Sequence, residues 1–510
     1  MGSLLAVPLL LVPVDPNEPV QPAQPAALSV AQQRLIGELL RVEPVLTELG
    51  TLFAATGHEL ALVGGPVRDA LLGRPIQDLD FTTDARPERI AEVLRDWADA
   101  QWDVGIAFGT VAARKGPHHI EVTTYRSEVY RSESRKPDVS YGDTLEHDLA
   151  RRDRTVNAMA VAVQPGQQGQ RTTFVDPYGG LADLARGVLR TPGRPEDSFG
   201  DDPLRMMRAA RFAAQLGFSV DPAVVTAMTE MADRIEIVSA ERVRDELVKL
   251  VCAPRPRAGL ALLVRTGLAE RVLPELPRLA LEVDEHHRHK DVYEHTLTVL
   301  EQAIAAEDPS SAPDFVLRFA ALMHDIGKPK TRRFEPGGGV SFHHHEVVGA
   351  KLTVARMRAL RFPKDVTEDV AKLVELHLRF HGYGTGAWTD AAVRRYVVDA
   401  GPLLDRLHTL TRSDCTTRNR RKAETLRRAY DDLEARIARL REQEELDSIR
   451  PDLDGNAIMA ILGMPPGPLV GQAWRHLKEL RLDRGPMSHD EAVAELRSWW
   501  ARHHPQPPSG

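Results

Sequence analysis

The sequence predicts an α+β protein in which a head with a mixed β-sheet is followed by a long, all-helical body. Within residues 31–190, short strand candidates alternate with helical segments: Leu60–Val63 is apolar and Ile76–Thr82 alternates. Val104–Ala113 and His119–Tyr125 are further strand candidates, and each carries β-branched residues. From Asp201 to about Trp500, apolar residues recur at helical spacing, and the interruptions fall at Gly or Pro. The change of pattern near residue 190 therefore predicts the end of the head.

Size and composition limit the class of protein. A chain of 510 residues is too long for one ordinary domain and predicts about three or four. The formal net charge of −7 excludes a surface that is basic everywhere, so contact with RNA would require local basic patches. The two cysteines, Cys252 and Cys415, cannot form a disulfide framework, which fits a reducing cytoplasm.

The first 30 residues are predicted to be a disordered extension. Leu4–Val14 is apolar, but no basic residue precedes it and Pro8 and Pro13 interrupt it, which is unlike a signal peptide. The stretch that follows is polar and rich in proline. No later segment is long and apolar enough to span a bilayer, so we expect no membrane association.

A glycine pair, Gly64-Gly65, ends the strand candidate Leu60–Val63, and Arg68 follows in the first turn of a predicted helix. Glycine has no Cβ, so the backbone here can approach phosphate oxygens closely, and a helix N-terminus favours anions. A guanidinium in this turn can pair with a triphosphate. Gly64, Gly65 and Arg68 therefore form a candidate nucleotide-binding turn.

Two aspartates, Asp78 and Asp80, lie two residues apart on the next strand candidate, so both side chains leave the same face. Carboxylates on one face can bind Mg²⁺, and two-metal phosphoryl transfer needs such a pair to activate the attacking hydroxyl and to carry the leaving pyrophosphate. Asp-x-Asp and Gly-Gly are each common as structural motifs. Their combination, in this order and at this short spacing, favours a catalytic site.

The segment from Leu62 to Phe81 resembles the active-site signature of the polymerase-β superfamily of nucleotidyltransferases, specifically the bacterial group of CCA-adding enzymes and poly(A) polymerases (class II). Gly105–Val111 and Ile120–Arg126 resemble the next two strands of that family, and Asp176–Gly180 resembles the turn that closes the head. The resemblance implies a polymerase-β-like fold for the head. Within it, Glu121 is either a third carboxylate of the site or a surface residue of its strand.

Residues 151–158 resemble the family motif RRDFTINA, and the resemblance implies that Arg152 belongs to the nucleotide pocket. The chain carries Arg154 where the family usually has phenylalanine. The replacement removes an aromatic packing group, so we expect altered packing at this position, next to an unchanged Arg152.

A second motif, residues 201–212, places Asp202, Arg205 and Arg208 three residues apart, on one broad stripe of a predicted helix. In an isolated helix this spacing is typical of a solvated face with ion pairs. The segment resembles the EDxxR motif that the family uses for base selection, with Asp201 in place of the usual Glu. The resemblance implies that Asp202, Arg205, Arg208 and Arg211 shape the nucleotide pocket.

The chemistry of this motif explains how protein side chains can select a base. A carboxylate only accepts hydrogen bonds and a guanidinium only donates them. Cytosine and adenine each offer an amino donor beside a ring-nitrogen acceptor, whereas uracil and guanine present the opposite order. An Asp–Arg pair therefore selects C and A without a template, because each buried polar group left unpaired by U or G costs about 1–3 kcal/mol.

The C-terminal half carries a second candidate site. His324-Asp325 lies in an apolar helical segment, Phe315–Ile326, and imidazole together with carboxylate suits Mn²⁺, Fe²⁺, Co²⁺, Ni²⁺ or Mg²⁺. The order His, His-Asp, His, His, Asp, with Lys328 close after His-Asp, resembles the HD phosphohydrolase superfamily. That resemblance implies a divalent transition metal held by His295, His324, Asp325, His345, His377 and Asp414.

Two observations leave this ligand set open. His343 and His344 precede His345 directly, so the sequence does not decide among the three. Scattered surface histidines are the alternative interpretation, and His286, His287 and His289 show that the chain carries such clusters.

The tail adds a further likeness. Pro451–Gly455, Leu462-Gly463 and Pro466–Pro468 with Gly471 resemble the C-terminal region of HD-bearing CCA-adding enzymes. Basic residues between Leu410 and Arg441 either face the body of a tRNA or form a solvated surface of ion pairs. The predicted domains are a disordered extension (1–30), a nucleotidyltransferase head (31–190), a helical neck with the base-selecting helix (191–280), an HD metal-binding domain (281–420) and a helical tRNA-binding tail (421–510).

The resemblance implies a cytoplasmic enzyme that adds C, C and A to the tRNA 3′ end from CTP and ATP, with Mg²⁺ at the catalytic residues Asp78 and Asp80. A phosphohydrolase activity at the HD site is a second expectation. The alternatives are a poly(A) polymerase of the same group, although the tail is near neutral, and an enzyme that adds only CC or only A. An HD phosphoesterase with an inactive head and a non-catalytic RNA-binding module are both disfavoured by the intact Asp78 and Asp80.

Overall fold

The structure is a computed structural model, and its chain divides into two compact units, Met1–Met231 and Ala232–Gly510. The predicted extension falls outside the described residues except for Val30, and so do His286, His287, His289 and most of Gly105–Val111. The structure describes residues 30, 34–35, 37–39, 41–76, 78–102, 109–129, 138–141, 144–166, 169–281, 291–336, 340–383, 388–416, 419–444 and 450–503.

The first unit is built on β-strands, most of which come from the segment that the sequence assigns to the head. Its strands are β1 Leu60–Val63, β2 Asp78–Thr83, β3 Ala100–Trp102, β4 Thr110–Lys115, β5 His118–Thr124, β6 Arg126–Val129, β7 Asp138–Tyr141, β8 Ala160–Gly166, β9 Gly169–Val175, β10 Val188–Leu189 and β11 Ser219–Val220.

Seven of these strands form one mixed sheet in the order β3-β4-β5-β2-β1-β8-β9. Strands β2 and β5 run parallel, whereas the other neighbours in this sheet run antiparallel. Strand β1 is central and pairs with β2 on one side and with β8 on the other. The sheet therefore joins β1 to a strand from much later in the sequence.

Helices cover the sheet and continue into the second sequence motif. They are α1 Glu43–Ala55, α2 Gly65–Leu71, α3 Pro87–Arg95, α4 Leu145–Ala150, α5 Gly180–Arg186, α6 Pro195–Asp201, α7 Leu204–Leu216 and α8 Pro222–Glu230, with a 3₁₀ turn at Thr155–Asn157.

The two faces of the sheet bury different apolar clusters. Leu79 and Phe81 of β2 belong to the larger cluster, whereas Ala61 and Val63 of β1 belong to a smaller cluster with Leu149. Side chains alternate along a strand. Asp78 and Asp80 therefore leave the face of the smaller cluster.

The second unit is almost entirely helical. A short hairpin, β12 Arg333–Phe334 with β13 Val340–Ser341, accompanies the helices. The helices are α9 Ala240–Val251, α10 Pro256–Arg265, α11 Ala269–Val272, α12 Val292–Ala306, α13 Phe315–Met323, α14 Lys328–Thr331, α15 His345–Ala359, α16 Lys364–Leu376, α17 Asp390–Ala400, α18 Leu404–Asp414, α19 Arg420–Glu444, α20 Gly455–Leu462, α21 Pro468–Arg484 and α22 His489–His503, and 3₁₀ turns lie at Ala232–Ile237, Pro277–Leu281, Arg379–Gly382 and Gly401–Leu403.

Four helices, α12, α13, α16 and α18, pack together in the part of the chain where the second site is expected. At the C-terminus α20, α21 and α22 enclose a small separate core that includes Leu477, Leu496 and Trp499. None of the described helices combines the length and the apolar character that a bilayer span requires.

The architecture confirms the predicted α+β class, with a mixed-sheet head before a helical body. Local boundaries differ from the predictions in two places. The strand expected at Val104–Ala113 is observed as Thr110–Lys115, and residues 103–108 lie outside the described part. The helix expected at Phe315–Ile326 ends at Met323, because the chain leaves the helix at His324 to form the second site.

Candidate active site and candidate metal centre

The turn after β1 brings the backbone close to an arginine from a distant motif. Gly64 has φ +75°, which L side chains rarely adopt, and a Cβ built on it would lie 2.7 Å from Arg152 Nη1. The backbone angle therefore favours glycine at this position, and a larger residue would also shift the Arg152 guanidinium. Helix α2 begins at Gly65, two residues before the start that the sequence indicates.

Three carboxylates face the same side of the sheet near this turn. Asp78 and Asp80 alternate with buried Leu79 along β2, and Glu121 is the register partner of Asp80 on the parallel strand β5. Burial, followed by the charge of Glu121, raises the pKa of Asp80 to about 6, while Arg152 acts in the opposite direction. The first of the two interpretations of Glu121, a carboxylate beside the aspartate pair, agrees with this register.

A buried aspartate holds the two arginines of the RRD motif. Asp148 on α4 is fully buried and accepts hydrogen bonds from Arg151 (Nη2–Oδ1 2.6 Å) and from Arg152 (Nη2–Oδ2 3.2 Å). Burial opposes its ionisation, but the two guanidiniums lower its pKa below the usual value. The sequence analysis did not single out Asp148, although its spacing of three and four residues from the arginines on a helix is a usable signal.

Arg68 is engaged by neighbouring side chains. Its Nη1 donates to Asn157 Oδ1 at 2.7 Å, and its Nε and Nη2 donate to the two carboxylate oxygens of Asp69 at 3.0 and 2.8 Å. Asn157 in turn donates to Asp153 Oδ1 at 3.1 Å. These contacts orient Arg68 beside the glycine turn, and its contact with a triphosphate stays a prediction.

The arginines of α7 lie against the RRD motif. Arg205 Nη2 donates to the carbonyl of Arg151 at 2.7 Å, and its Nη1 donates to Ser198 Oγ at 3.0 Å. Arg208 Nε donates to Asp153 Oδ2 at 2.7 Å. Burial opposes ionisation of Asp153, but Arg208 and Arg154 hold its pKa well below the usual range. The helix that carries the predicted base-selecting residues is thus joined to the head by directed hydrogen bonds.

Two other residues of this motif have different surroundings. Asp202 links α6 to α7, and its Oδ1 accepts a hydrogen bond from the backbone N–H of Leu204 at 3.1 Å. Arg211 donates to Gln215 Oε1 at 2.7 Å and lies over the ring of Phe212, 4.1 Å from the centroid. Arg211 therefore sits one turn beyond the contacts that Arg205 and Arg208 make.

Arg154 occupies the position where phenylalanine was expected, and its side chain is completely buried. The guanidinium lies 5.9 Å from the centroid of the Phe199 ring, and its Nη2 donates to the carbonyl of Arg205 at 2.8 Å. At this position the chain thus has a buried guanidinium that hydrogen-bonds to α7. Whether this packing differs from that of relatives with phenylalanine stays a prediction.

In the second unit, the structure brings six predicted side chains together. They form two adjoining triads, in each of which one nitrogen or oxygen atom per residue lies within 4.8 Å of the others. His345 belongs to this cluster and is 6% exposed, whereas the side chain of His344 is 83% exposed. The triads are His295, His324 and Asp414, and Asp325, His345 and His377.

Three of these histidines share one geometry. His324, His345 and His377 each donate Nδ1–H to the backbone carbonyl three residues earlier, at 2.8, 2.8 and 2.7 Å. A carbonyl only accepts, so Nδ1 carries the proton, and Nε2 offers a lone pair to a metal ion when the ring is neutral. Among the described residues, none of these buried Nε2 atoms has a hydrogen-bond partner. Cations bound at the two triads would satisfy these atoms.

The carboxylates of the cluster complete a donor set for a cation. Asp414 Oδ1 lies 2.9 Å from His295 Nε2, and Asp325 Oδ1 lies 3.3 Å from His345 Nε2. Burial opposes ionisation of Asp325, yet His324 and Lys328 beside it lower its pKa well below the usual value. Burial lowers the pKa of His377 to about 3, which keeps that ring neutral. Neutral imidazoles and ionised carboxylates are the forms that bind metals.

The backbone supports this cluster through a second close approach. A Cβ on Gly327 would lie 2.1 Å from the carbonyl oxygen of His345 and 2.8 Å from the backbone nitrogen of Gly349. Any larger residue at Gly327 would therefore push α15, and His345 with it, away from His324 and Asp325.

Three families match successive parts of the chain. The Poly A polymerase head domain matches residues 60–190, the probable RNA and SrmB-binding site of polymerase A matches residues 217–279, and the HD domain matches residues 292–440. An A-adding tRNA nucleotidyltransferase of Deinococcus radiodurans is 35% identical over 449 residues, which cover 86% of this chain and 95% of that protein. The chain belongs to the tRNA nucleotidyltransferase family.

Other relatives within the tRNA nucleotidyltransferase family differ in what their names say they add. A CC-adding tRNA nucleotidyltransferase of Thermus thermophilus is 34% identical over 451 residues, covering 86% of this chain and 93% of that protein. A CCA-adding enzyme of Streptococcus thermophilus is 31% identical over 459 residues, covering 90% and 96%. The crystal structure of the Bacillus stearothermophilus CCA-adding enzyme in complex with CTP superposes with a TM-score of 0.63 at 25% identity, covering 91% and 98%.

Membership of this family makes the chain a nucleotidyltransferase, as the sequence predicts. The nucleotidyltransferase head and the HD domain both imply the use of divalent metal ions, and the residues at both sites fit that use. The three carboxylates near Gly64 supply the oxygen ligands that a hard cation prefers, and the second cluster supplies nitrogen and oxygen.

Proposed function

We propose that the enzyme adds C, C and A to the 3′ end of tRNA, using CTP and ATP and no nucleic-acid template. The 3′-hydroxyl of the tRNA attacks the α-phosphate of the nucleotide, the bond from that phosphate to the β-phosphate breaks, and pyrophosphate leaves. The observation that carries the proposal is the meeting of Asp78, Asp80, Gly64 and Arg152 on one face of the sheet, in a chain of this family.

The carboxylates take the metal-binding role in this proposal. Asp78 and Asp80, with Glu121 on the neighbouring strand, would hold Mg²⁺, which activates the hydroxyl and stabilises the pyrophosphate when it is bound. The raised pKa of Asp80 beside a second carboxylate is the electrostatic situation that a divalent cation relieves. The role of these residues is therefore to place the cation between the tRNA end and the triphosphate.

The turn after β1 takes the triphosphate. Gly64 and Gly65 let the backbone approach the phosphates, and Arg152, 21% exposed beside Gly64, offers a positive charge there. Arg68, held by Asp69 and Asn157, adds a second guanidinium in a fixed orientation. Fixed donors reorganise little when the leaving group develops charge.

The base is selected by α7 and the residue before it. Asp202 accepts and Arg205 donates, a pattern that matches the amino donor and ring acceptor of cytosine and adenine. Arg208 and Arg211 extend the positive side of the pocket. The hydrogen bonds from Arg205 to Arg151 and from Arg208 to Asp153 support this role, because they fix the reading side chains relative to the head.

A second candidate function follows from the relatives, which include A-adding and CC-adding enzymes as well as CCA-adding ones. Three tRNA substrates that end before the first C, after one C and after both C residues distinguish the candidates. Each is incubated with labelled CTP, ATP or both, and product lengths are read. Full addition extends all three substrates to A. Extension of only the last substrate, by ATP, identifies an A-adding enzyme, and arrest after two C residues identifies a CC-adding enzyme.

The second cluster is proposed to bind a divalent transition metal and to hydrolyse a phosphoester on damaged RNA ends, such as a 2′,3′-cyclic phosphate or a 2′-phosphate. The three buried Nε2 atoms that lack a hydrogen-bond partner within the described part of the chain, in a cluster with three further ligand residues, carry this proposal. His295, Asp325 and Asp414 complete the ligand set with either Mn²⁺, Fe²⁺, Co²⁺, Ni²⁺ or Mg²⁺. Hydrolysis would leave a free 3′-hydroxyl, which the head could extend.

Metal analysis of the purified chain, followed by phosphoesterase assays with each of the five ions, tests this second proposal. If the chain binds none of the five ions and hydrolyses no phosphoester with any of them, the cluster has only a structural role.

The proposal extends to the cellular compartment of the enzyme and to the surface that holds the tRNA. We place the enzyme in the cytoplasm, where its tRNA substrate is found and where the free thiols of Cys252 and Cys415 stay reduced. The acceptor arm would be held by shape and phosphate contacts. On α19, Arg436 pairs with Asp390 and Arg420 with Glu424, which fits a solvated surface of ion pairs at these two positions.

A further inference from the structure

Arg154 is a buried charge without a counterion in direct contact. Its side chain is 0% exposed, and it makes no ion pair with a carboxylate in the part of the chain that the structure describes. Its guanidinium donates to two backbone carbonyls, those of Asp153 and Arg205, and its buried Nε has no partner. Burial lowers its pKa, Asp153 acts in the opposite direction and the nearby arginines of α7 lower it again, so that the pKa is about 10.

Stability does not explain a residue of this kind. Burying a charge is costly unless hydrogen bonds and an opposite charge compensate it, and replacing such a group by an apolar residue is often neutral or stabilising. Phe199, whose ring centroid lies 5.9 Å from the guanidinium, is a neighbour that an apolar side chain at position 154 would also meet.

The position of Arg154 instead points to Arg205. The segment Arg151–Arg154 contacts both the backbone and the side chain of Arg205. Arg154 Nη2 donates to the Arg205 carbonyl at 2.8 Å, and the Arg205 guanidinium donates to the Arg151 carbonyl at 2.7 Å. One turn further along α7, Asp153 accepts from Arg208 at 2.7 Å. Three directed hydrogen bonds from one tetrapeptide thus fix the rotation and the axial position of this helix on the head.

We propose that Arg154 is a positioning residue, which sets nucleotide selectivity by fixing the backbone of Arg205 without touching the nucleotide. The proposal rests on the base-reading role proposed above for Arg205. A guanidinium reads a base only when its donors face the acceptors of that base, and a displacement of about 1 Å at a reacting or reading group costs a large factor in rate. Loss of the bond to the Arg205 carbonyl removes the constraint that prevents such a displacement.

The test compares Arg154→Leu and Arg154→Lys with the wild type and with Arg205→Ala. Values of kcat/KM for CTP, ATP and UTP on one tRNA give the selectivity, and melting temperature gives the stability. Arg154→Leu is expected to melt at the wild-type temperature or above, while discrimination against UTP falls about tenfold. Arg154→Lys keeps one donor that reaches the carbonyl and is expected to restore most of the discrimination.

The double variant Arg154→Leu with Arg205→Ala separates positioning from a merely structural role. If Arg154 acts through Arg205, the double variant is no less selective than Arg205→Ala alone, whereas independent effects would add. Arg318→Leu is the matched control, because Arg318 is also buried and donates to the carbonyls of Val251 and Ala253, but it is paired with Glu307. That control is expected to lower the melting temperature and to leave selectivity unchanged.

Two failures are distinguishable. Wild-type selectivity in Arg154→Leu, together with relaxed selectivity in Arg205→Ala, would overturn the positioning role alone, whether or not the variant is less stable. Unchanged selectivity in Arg205→Ala would overturn the base-reading proposal, and the role of Arg154 with it.

Discussion

Carboxylates of the head differ in their surroundings, and this difference separates the proposed metal-binding carboxylates from one that the protein itself satisfies. Asp80 is crowded by Glu121 and Asp78, whereas Asp84, at the end of the same strand, accepts a backbone hydrogen bond from Glu59 at 2.8 Å and lies 3.2 Å from His58 Nδ1. The first environment favours a bound cation, while the second is already satisfied by the protein.

Asp80→Asn and Asp78→Asn are each expected to reduce nucleotide addition at least about a hundredfold, because a metal-stabilised transition state is worth several kcal/mol. Steady-state rates with CTP and ATP on a tRNA lacking its CCA end measure the effect. Asp84→Asn is the matched control on the same strand and should keep its rate. Near-normal addition by either of the first two variants would remove that residue from the catalytic set.

Arg205→Ala removes donors that complement cytosine and adenine. The use of CTP and ATP should fall, and discrimination against UTP should relax by about ten- to a hundredfold, since each unpaired buried polar group costs about 1–3 kcal/mol. Competition between labelled nucleotides measures the preference. An unchanged order of preference would mean that Arg205 does not read the base.

Several site residues could be identified from short-range pattern alone. The alternation of Asp78 and Asp80 and the three-residue spacing in α7 depend only on strand and helix geometry. Contacts across the chain could not be deduced in this way. Arg68 meets Asn157 from 89 residues away, and Arg154 meets Arg205 from 51 residues away. Their partners depend on how distant elements pack, and the functional roles of these residues stay predictions.

At the scale of secondary-structure elements, two glycines in turns differ in whether another segment approaches them. Gly64 and Gly57 both have positive φ, but a Cβ at Gly64 would lie 2.7 Å from Arg152, whereas nothing lies within 4 Å of one at Gly57. Substitutions at the two positions therefore distinguish the effect of backbone strain from the effect of displacing the Arg152 side chain.

Gly64→Ala should raise the KM for both nucleotides and lower kcat, because the new methyl group displaces Arg152. Gly57→Ala also places a side chain at positive φ, at a cost of about 1 kcal/mol, but it makes no new contact with the described residues and should leave both kinetic constants unchanged. Thermal unfolding measures the backbone strain in each variant, and steady-state kinetics measure the effect on nucleotide use. Equal kinetics in the two variants would show that the Arg152 contact has no bearing on nucleotide binding.

The types of the elements, and so the fold class, followed from hydrophobic periodicity, and the structure confirms them. The register of the sheet did not follow, because alternation along β5 places Glu121 on a face but does not place it opposite Asp80. Periodicity also did not decide which of His343, His344 and His345 belongs to the second site. The start of α15 at His345, after a left-handed residue at His344, resolves that choice geometrically.

For the whole molecule, the two candidate sites lie in different compact units, and their described residues form separate sets. Neither set shares a residue with the other. Chemistry at one site should therefore survive loss of the other site.

The double variant His324→Ala, Asp325→Ala should lose bound metal and phosphoesterase activity on a 2′,3′-cyclic phosphate, while it keeps CTP and ATP addition to an undamaged tRNA. The reciprocal variant Asp80→Asn should lose addition and keep the metal of the HD cluster. Metal content by mass spectrometry and the two activities measure both. Loss of addition in the first variant, with circular dichroism unchanged, would contradict the separation.

The central position of β1 in the sheet has a consequence for how the chain folds. Leu60 pairs with Val163, so the second edge of the strand stays open until about a hundred more residues have been synthesised. Pairing across so long a loop is slow. Until β8 pairs with it, the open edge of the apolar strand Leu-Ala-Leu-Val can form hydrogen bonds with strands of other chains. A ribosome-bound chain would thus expose this edge for several seconds, on the order of the time needed to translate β8. Fragments that end before Ala160 should accordingly aggregate, whereas fragments that include β8 and β9 should stay dispersed.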